Sequence, residues 1–418
     1  MEMKKYKLGE LMEVTRGMSL CGEYYATEGD LMRLTLGNFD YRNNCFKDDK
    51  SKDNLFFSGD VKDEFILNKG DIITPLTEQA IGLLGSTAKV PCSGKYIQSQ
   101  DVGLIKCNEK LHPDFAFYLI PSKLVRNQLS AAAQQTKIRH TSPDKIKSCM
   151  VWIPEYSKQE EIGKLLSTLD DKIALNRRMN AKLEQMAKRL YEHWFVQFDF
   201  PVSCHSELVS ESHSEEMLNQ VQHDERIKPY KSSGGKMVWN ETLKREIPAG
   251  WEVVCFADFI EIGNGKDHSK LPTGNIPVYG SGGFMRGVTN FLYDGESVLF
   301  PRKGTLNNIM YKNEKIWTVD TMFYSKMKIS HSAIYVYYTA KQFDFVSMNT
   351  GTGVPSMTSV IIKGLPIIKP TQDILDSYDE SIQPIYKKIH QNEKETQKLT
   401  ALRDKLLPLL MNGQVEVK

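Results

Sequence analysis

Ile162-Gly-Lys-Leu-Leu-Ser-Thr-Leu-Asp-Asp-Lys-Ile-Ala-Leu-Asn176 opens a run in which Ile162, Leu166, Leu169, Ile173, Asn176, Asn180, Leu183, Ala187, Leu190 and Trp194 recur at alternating steps of four and three. That spacing keeps one residue per turn on a single helix face, the seam of a coiled coil. The same seam recurs 216 residues later (162 to 378), as Tyr378, Ile382, Ile385, Ile389, Asn392, Thr396, Leu399, Arg403, Leu406 and Leu410, with its polar centre kept. Lys172-Ile173 falls on Lys388-Ile389 and Asn176 on Asn392 without a gap. Internal duplication explains this better than two unrelated amphipathic helices, so two similar halves are expected, each ending in a long helix.

The duplication continues outward from the helices. Leu8-Gly-Glu-Leu-Met-Glu-Val-Thr-Arg-Gly17 parallels Phe256-Ala-Asp-Phe-Ile-Glu-Ile-Gly-Asn-Gly265, and Ile146-Lys-Ser-Cys-Met-Val-Trp-Ile-Pro154 parallels Ile362-Lys-Gly-Leu-Pro-Ile-Ile-Lys-Pro370. Residues 1–155, with short β-branched and aromatic runs broken by Gly, Asn and Pro, read as an α+β domain. Residues 156–198 form the first spacer helix, whose seam spans roughly 48 Å at ~1.5 Å per residue. A linker at 199–236 contains a polar stretch, Ser203 to Lys228, too poor in apolar residues to build a core. A second α+β domain covers 237–370, and a second spacer helix lies within 371–418, stopping before Gly413. The ends of the two domains match while their interiors diverge, as expected of related modules that recognise different things.

The chain has 418 residues, 40% hydrophobic and 25% charged, which allows more than one core and suggests two or three domains. It contains no apolar stretch of about eighteen residues, and its start lacks the apolar core of a secretory signal, so a cytoplasmic protein is expected. Seven cysteines without a C-x-x-C pair point to reduced thiols. With 54 basic against 52 acidic residues, for a net charge of +2, bulk attraction to a polyanion is weak, and any DNA affinity must come from local patches or partners.

The motifs that would carry chemistry are missing. There is no Asn/Asp-Pro-Pro-Tyr-like segment, no glycine-rich cofactor loop between strand and helix, and no Gly-Lys-Ser/Thr after Gly351-Thr-Gly353. His140 has no second ligand at metal spacing, and Cys204, His205, His213 and His223 fit no zinc pattern. No catalytic, cofactor-binding or metal-binding residue is expected.

The seam midpoint, residue 178, lies between Asn176 and Asn180. Antiparallel helices crossing there would set Asn180 against Asn392 and Asn176 against Thr396, whereas a parallel pair would also match polar with polar. The pattern leaves both orientations open. Polar seam residues fix register at some cost in stability; exposure on a curved helix face is the competing explanation.

Taken together, the run from Glu160 to Asn176, His193-Trp-Phe-Val-Gln-Phe-Asp-Phe-Pro201, Ile247-Pro-Ala-Gly-Trp-Glu252, Ile276-Pro-Val-Tyr-Gly-Ser-Gly-Gly283 and Pro301-Arg-Lys-Gly304 resemble the DNA specificity subunit of type I restriction–modification systems. The resemblance covers nearly the whole chain. It implies an α+β protein with two target-recognition domains separated by two long helices, which pair as an antiparallel coiled coil about a pseudo-twofold internal duplication. Each domain would read one part of an interrupted, asymmetric site on double-stranded DNA, and the helices would act as a ruler and bind two methyltransferase subunits. Reading two DNA segments favours the antiparallel orientation, which separates the domains. An ATP-driven restriction subunit can join such complexes. S-adenosylmethionine would be used by the methyltransferase, leaving this chain without a cofactor or catalysis of its own. One departure is the stretch from Ser203 to Lys228, where such subunits usually run through a short turn into Pro229-Tyr-Lys-Ser-Ser-Gly-Gly-Lys236. It resembles peptides encoded by interspersed palindromic repeats and is expected to be a neutral insertion, because lengthening a surface loop adds little closure entropy, ~0.6 kcal/mol per doubling.

Candidate DNA contacts follow from side-chain chemistry. Gln134, Gln135, Lys137, Arg139 and His140 crowd one short segment of the first domain, with Gln79, Gln98 and Gln100 as further amides. Gln pairs with adenine edges, and Arg or Lys with guanine or phosphate. In the second domain Arg302, Lys303 and Asn307 lie in or just after the Pro-Arg-Lys-Gly turn, and Lys266, Ser281 and Arg286 in other glycine-flanked loops, where small residues let backbone amides approach a phosphate. Solvated loops and ordinary tight turns carry the same residues. Two rival functions stand beside this one: a coiled-coil scaffold joining protein-binding domains, and an orphan DNA methyltransferase, which the missing motifs disfavour.

Overall fold

A computed structural model of the chain describes residues 2–41, 43–49, 51–78, 83–132, 139–203, 227–351 and 353–417. Both long helices are present, Tyr156–Tyr191 and Gln372–Met411. None of the seam residues is exposed, and Asn176 and Asn392 are 1% and 2% accessible, so the curved-face explanation of the polar centre falls away. Asp170 meets Arg403, Asn176 donates to Glu395, and Asn180 donates to the Ile389 carbonyl. Numbers rise along one helix as they fall along the other, so the helices are antiparallel. The partner of Asn176 is Glu395, the neighbour of the expected Thr396. The first helix widens into a π-helical turn at Glu192–Val196 and ends before Phe198, whose φ is 63°. The second stops as expected at Gly413, with φ 69°.

Two compact units divide the chain, Met1–Arg177 with Asn392–Lys418, and Arg178–Gln391. In the first, a four-stranded sheet runs in the order Ala88–Lys89, Ile72–Pro75, Val102–Cys107, Met12–Arg16. The central strands Ile72–Pro75 and Val102–Cys107 are buried on both faces over Ile72–Pro75 and Val102–Ile105, whereas Met12–Arg16 alternates buried with exposed residues. Phe115, Ile146, Ile162, Leu166 and Leu410 pack with Leu8 and Ile105 into one core, so the helix seam is continuous with the domain interior.

In the second unit a six-stranded sheet runs in the order Ile260–Asn264, Met322–Met327, Tyr293–Pro301, Met310–Thr318, Thr273–Gly280, Gly283–Val288. Its core is aromatic: Phe195 lies 4.5 Å from Tyr335 and 4.8 Å from Tyr378, and Phe200 stacks on Trp251 at 5.0 Å between ring centroids. The His193 to Pro201 run is thus the packing joint between the first long helix and this domain. Pro201–Ser203 pairs antiparallel with Ile227–Pro229, bringing Ser203 opposite Ile227. The two ends of the inserted polar stretch are therefore adjacent, and residues 204–226 themselves lie outside the described residues.

The duplication holds at the level of register. Lys7 pairs with Met150 and Cys255 with Pro366, the same two offsets that align the sequence motifs. Ser142 caps one short helix by accepting from the Lys145 amide at 3.3 Å, and Thr358 caps its counterpart from the Ile361 amide at 3.3 Å. A hydroxyl at each helix start satisfies an otherwise orphan amide. Among the described residues no helix is long and apolar enough to cross a membrane.

Candidate nucleic-acid interface

In the second unit the loops at 265–266, 279–281 and 302–308 converge on the turn at residues 319–321. Lys266 N donates to the Thr318 carbonyl at 2.8 Å, Val319 N to Tyr279 O at 3.0 Å, and Arg302 N to Thr321 O at 2.8 Å. Ser281 N reaches the Thr321 hydroxyl at 3.4 Å, and Asn308 Nδ2 donates to Ser281 O at 2.8 Å. The loop at 349–356 joins through a bridge between Lys303 and Ser356 and a 2.9 Å bond from Gly304 N to Pro355 O. Glycine is required where the loops touch: a Cβ on Gly265 would sit 1.9 Å from Val319 O, and Gly304, at φ 89°, faces Ser281 Oγ.

This convergence brings together Lys266, Ser281, Arg302 and Lys303. Lys266 and Lys303 are exposed, whereas Arg302 is half-buried with its guanidinium 5.7 Å from the Phe323 ring centroid. Arg286 is occupied differently. Its Nε donates to His268 Nδ1 at 3.0 Å, and Nη2 donates to the carbonyls of Leu271, at 3.0 Å, and His268. It braces the 268–271 loop. Asn307 is exposed and turned toward Asp344, at 3.4 Å. A cleft of about 630 Å³ opens beside the cluster, lined by Asp267, His268, Ser281, Phe284, Met285 and Thr321 among others. Bonds from the Ser269 hydroxyl and amide hold the Asp267 carboxyl below its ordinary range, and Asp320 is a second carboxylate in the lining.

The first unit gathers fewer of its expected residues. Gln79, Gln134, Gln135 and Lys137 lie outside the described residues, as does the Arg139 side chain, although its backbone pairs with Glu78. His140 is exposed, with Nδ1 3.3 Å from Thr77 Oγ1, which donates to Asp101 at 3.0 Å. Gln100, next in the chain to Asp101, is exposed on the rim of a polar cleft of about 180 Å³.

Gln98 is a correction. It is 1% accessible, and its Nε2 donates to the carbonyls of Thr15 at 2.8 Å and Val102 at 3.0 Å. An amide spent on two backbone acceptors ties strands together and has no donor directed at a base edge.

The polar cleft also contains residues that sequence reasoning passed over. Arg33 lies 3.9 Å over the Tyr25 ring and donates to the Asn54 carbonyl at 3.2 Å. Asp49 accepts from Thr35 Oγ1 at 2.5 Å and from Ser51 Oγ at 2.6 Å. Burial pushes that carboxyl up, but the Ser51 and Thr35 bonds and the nearby Lys52 outweigh it and hold it below its ordinary range. Its signal was a Thr-x-x-Asn capping box at Thr35, which fixes the turn closing over Asp49. Among the described residues no group of His, Cys, Asp and Glu is arranged to hold a metal.

A family model described as type I restriction modification DNA specificity domain matches residues 1–185 and 248–401. The type I restriction enzyme MjaIX specificity subunit of Methanocaldococcus jannaschii is 23% identical over 331 residues, covering 73% of this chain and 69% of that protein. The type I restriction enzyme HindI specificity subunit of Haemophilus influenzae is 25% identical over 378 residues, covering 77% and 81%. In fold, the chain is similar to the type I restriction-modification system S subunit from M. genitalium, with a TM-score of 0.62 and 15% identity over 98% of this chain and 96% of that one.

Proposed function

This chain belongs to the type I restriction–modification DNA specificity family, and we propose that it reads an asymmetric, interrupted site on double-stranded DNA, one half-site per domain. The observation that carries this reading is that the family match falls on both halves of the duplicated chain. The exposed Lys266 and Lys303 in the second unit, and Gln100 and His140 in the first, supply polar side chains for phosphate and base contact. The antiparallel helices fix the length of the unread gap and carry two methyltransferase subunits, and a restriction subunit can join them. The chain acts without catalysis, in the cytoplasm; methyl transfer from S-adenosylmethionine belongs to the methyltransferase subunits.

Retention of DNA by the assembled complex tests this. A duplex carrying the split site should be held far more tightly than random DNA, with affinity falling steeply as salt rises. The near-neutral net charge of +2 favours a scaffold that binds only proteins; equal, weak retention of all duplexes would establish that alternative.

A further inference from the structure

The hairpin joining Thr273–Gly280 to Gly283–Val288 carries two apolar side chains at its tip, Phe284 at 63% and Met285 at 53% accessible. Met285 is the extra residue of a β-bulge between the pairs Tyr279–Phe284 and Val278–Arg286, so the alternation of faces breaks there and both side chains line the cleft at Ser281 and Thr321, half or more exposed. The tip is braced. Gly280 pairs with Gly283, Ser281 is held by Thr321 and Asn308, and the Phe284 ring meets Tyr279 edge-on at 6.3 Å between centroids and 72°. Below the tip, Arg286 clamps the strand to the His268 loop.

Single exposed apolar residues are ordinary on protein surfaces. Two in succession on a braced tip form an apolar point, joined through the 319–321 turn to the loops bearing exposed Lys266 and Lys303, with the carboxylates of Asp267 and Asp320 in the cleft beside it. The complementary surface is a stack of bases flanked by phosphates. Resting on the DNA-reading function proposed above, we infer that Phe284 and Met285 form a wedge that presses into one base step of the half-site held by the second domain. Such wedges partly unstack the step and kink the duplex. The energy of doing so depends on the step, least for pyrimidine–purine steps, so this position is read through deformability without a hydrogen bond.

The experiment uses the full chain assembled with its methyltransferase subunits, on duplexes bearing its split site with 2-aminopurine placed at successive steps of the second half-site. The wild-type complex should raise the fluorescence at one step. Phe284→Ala should remove that rise and weaken binding roughly tenfold to a hundredfold, from the usual value of a base–aromatic stack, with its thermal unfolding curve unchanged; Phe284→Trp should keep the signal. Met285→Ala, as a second variant, should lower it. Unchanged fluorescence and affinity in Phe284→Ala overturn the wedge. Loss of methyltransferase assembly with the fluorescence rise intact would make the tip a protein-docking surface and also overturns it. If the wild-type complex itself ignores the split site, the DNA-reading function fails, and this outcome is seen before any variant is compared.

Discussion

Tyr118 donates a 2.8 Å hydrogen bond to Asp170 of the first long helix, and in the second unit Tyr386 of the other helix donates to Tyr338 at 3.0 Å. The pairs correspond: Asp170 and Tyr386 share the helix offset of 216 (170 to 386), and Tyr118 and Tyr338 share the offset that relates the strand pairs Met12 with Cys107 and Ile260 with Met327. The duplicated frame has kept a polar contact between domain and helix while changing its chemistry. In the first unit Asp170 also accepts from Arg403 Nη1 at 2.7 Å.

Arg403→Ala should therefore destabilise the first unit by about 2–3 kcal/mol, below the usual loss for a broken buried pair because both side chains retain some solvent contact, 12% and 26%. Denaturant unfolding followed by tryptophan fluorescence and circular dichroism would measure this. A change under about 0.5 kcal/mol, the size typical of surface pairs, would mean that the ion pair is well solvated and incidental.

Asn392→Leu places an apolar side chain at a seam position that is 2% accessible. The melting temperature should rise by a few degrees, as for about 1 kcal/mol in a domain of this size, while sedimentation should reveal misregistered or oligomeric species, since a polar seam residue fixes register. A monodisperse variant without gain in stability would argue against that role.

Stability should fall in alkali. Burial pushes the Tyr191 phenol up to about 12 from an ordinary 10.0 and raises Tyr118, Tyr311, Tyr335, Tyr338, Tyr378 and Tyr386 further. Burial likewise pushes the Cys107 and Cys149 thiols from 9.0 to about 11. These groups keep their protons in the folded chain at a pH where the unfolded chain releases them. The folded state then binds more protons, so their stabilisation is complete below about pH 9 and is lost as pH rises toward the folded values. Urea midpoints measured from pH 8 to 11 should be level at first and then drop; a level profile to pH 11 would contradict the burial of these phenols.

Lys303→Ala should weaken DNA binding similarly on all sequences and lower the salt slope by about 0.9 for one lost phosphate contact. Loss confined to particular bases would make Lys303 a reader of sequence instead.

Much of the architecture was legible in the sequence because it rests on periodicity. The seam, its repeat and its polar centre each follow from spacing alone. Helix orientation was not legible, since parallel and antiparallel pairs both match Asn176 and Asn180 with polar partners; contacts such as Asp170 with Arg403 decide it. Candidate contact residues were less legible. Gln98 looked like Gln100, yet one amide is consumed by Thr15, far away in the chain, and the other side chain is exposed. Arg286 looked like a free cation until the His268 loop folded under it. Phe284 and Met285 carry neither charge nor a periodic pattern that marks them in the sequence, and only their exposure in the fold singles them out.

The most direct measurement is methylation mapping by long-read sequencing in a host lacking other methyltransferases, expressing this chain with its methyltransferase subunit. A split, asymmetric motif should appear and should vanish when this chain is omitted. Methylation at the same motif without this chain, or no motif despite a stable complex with an active methyltransferase, would contradict its role as the source of sequence specificity.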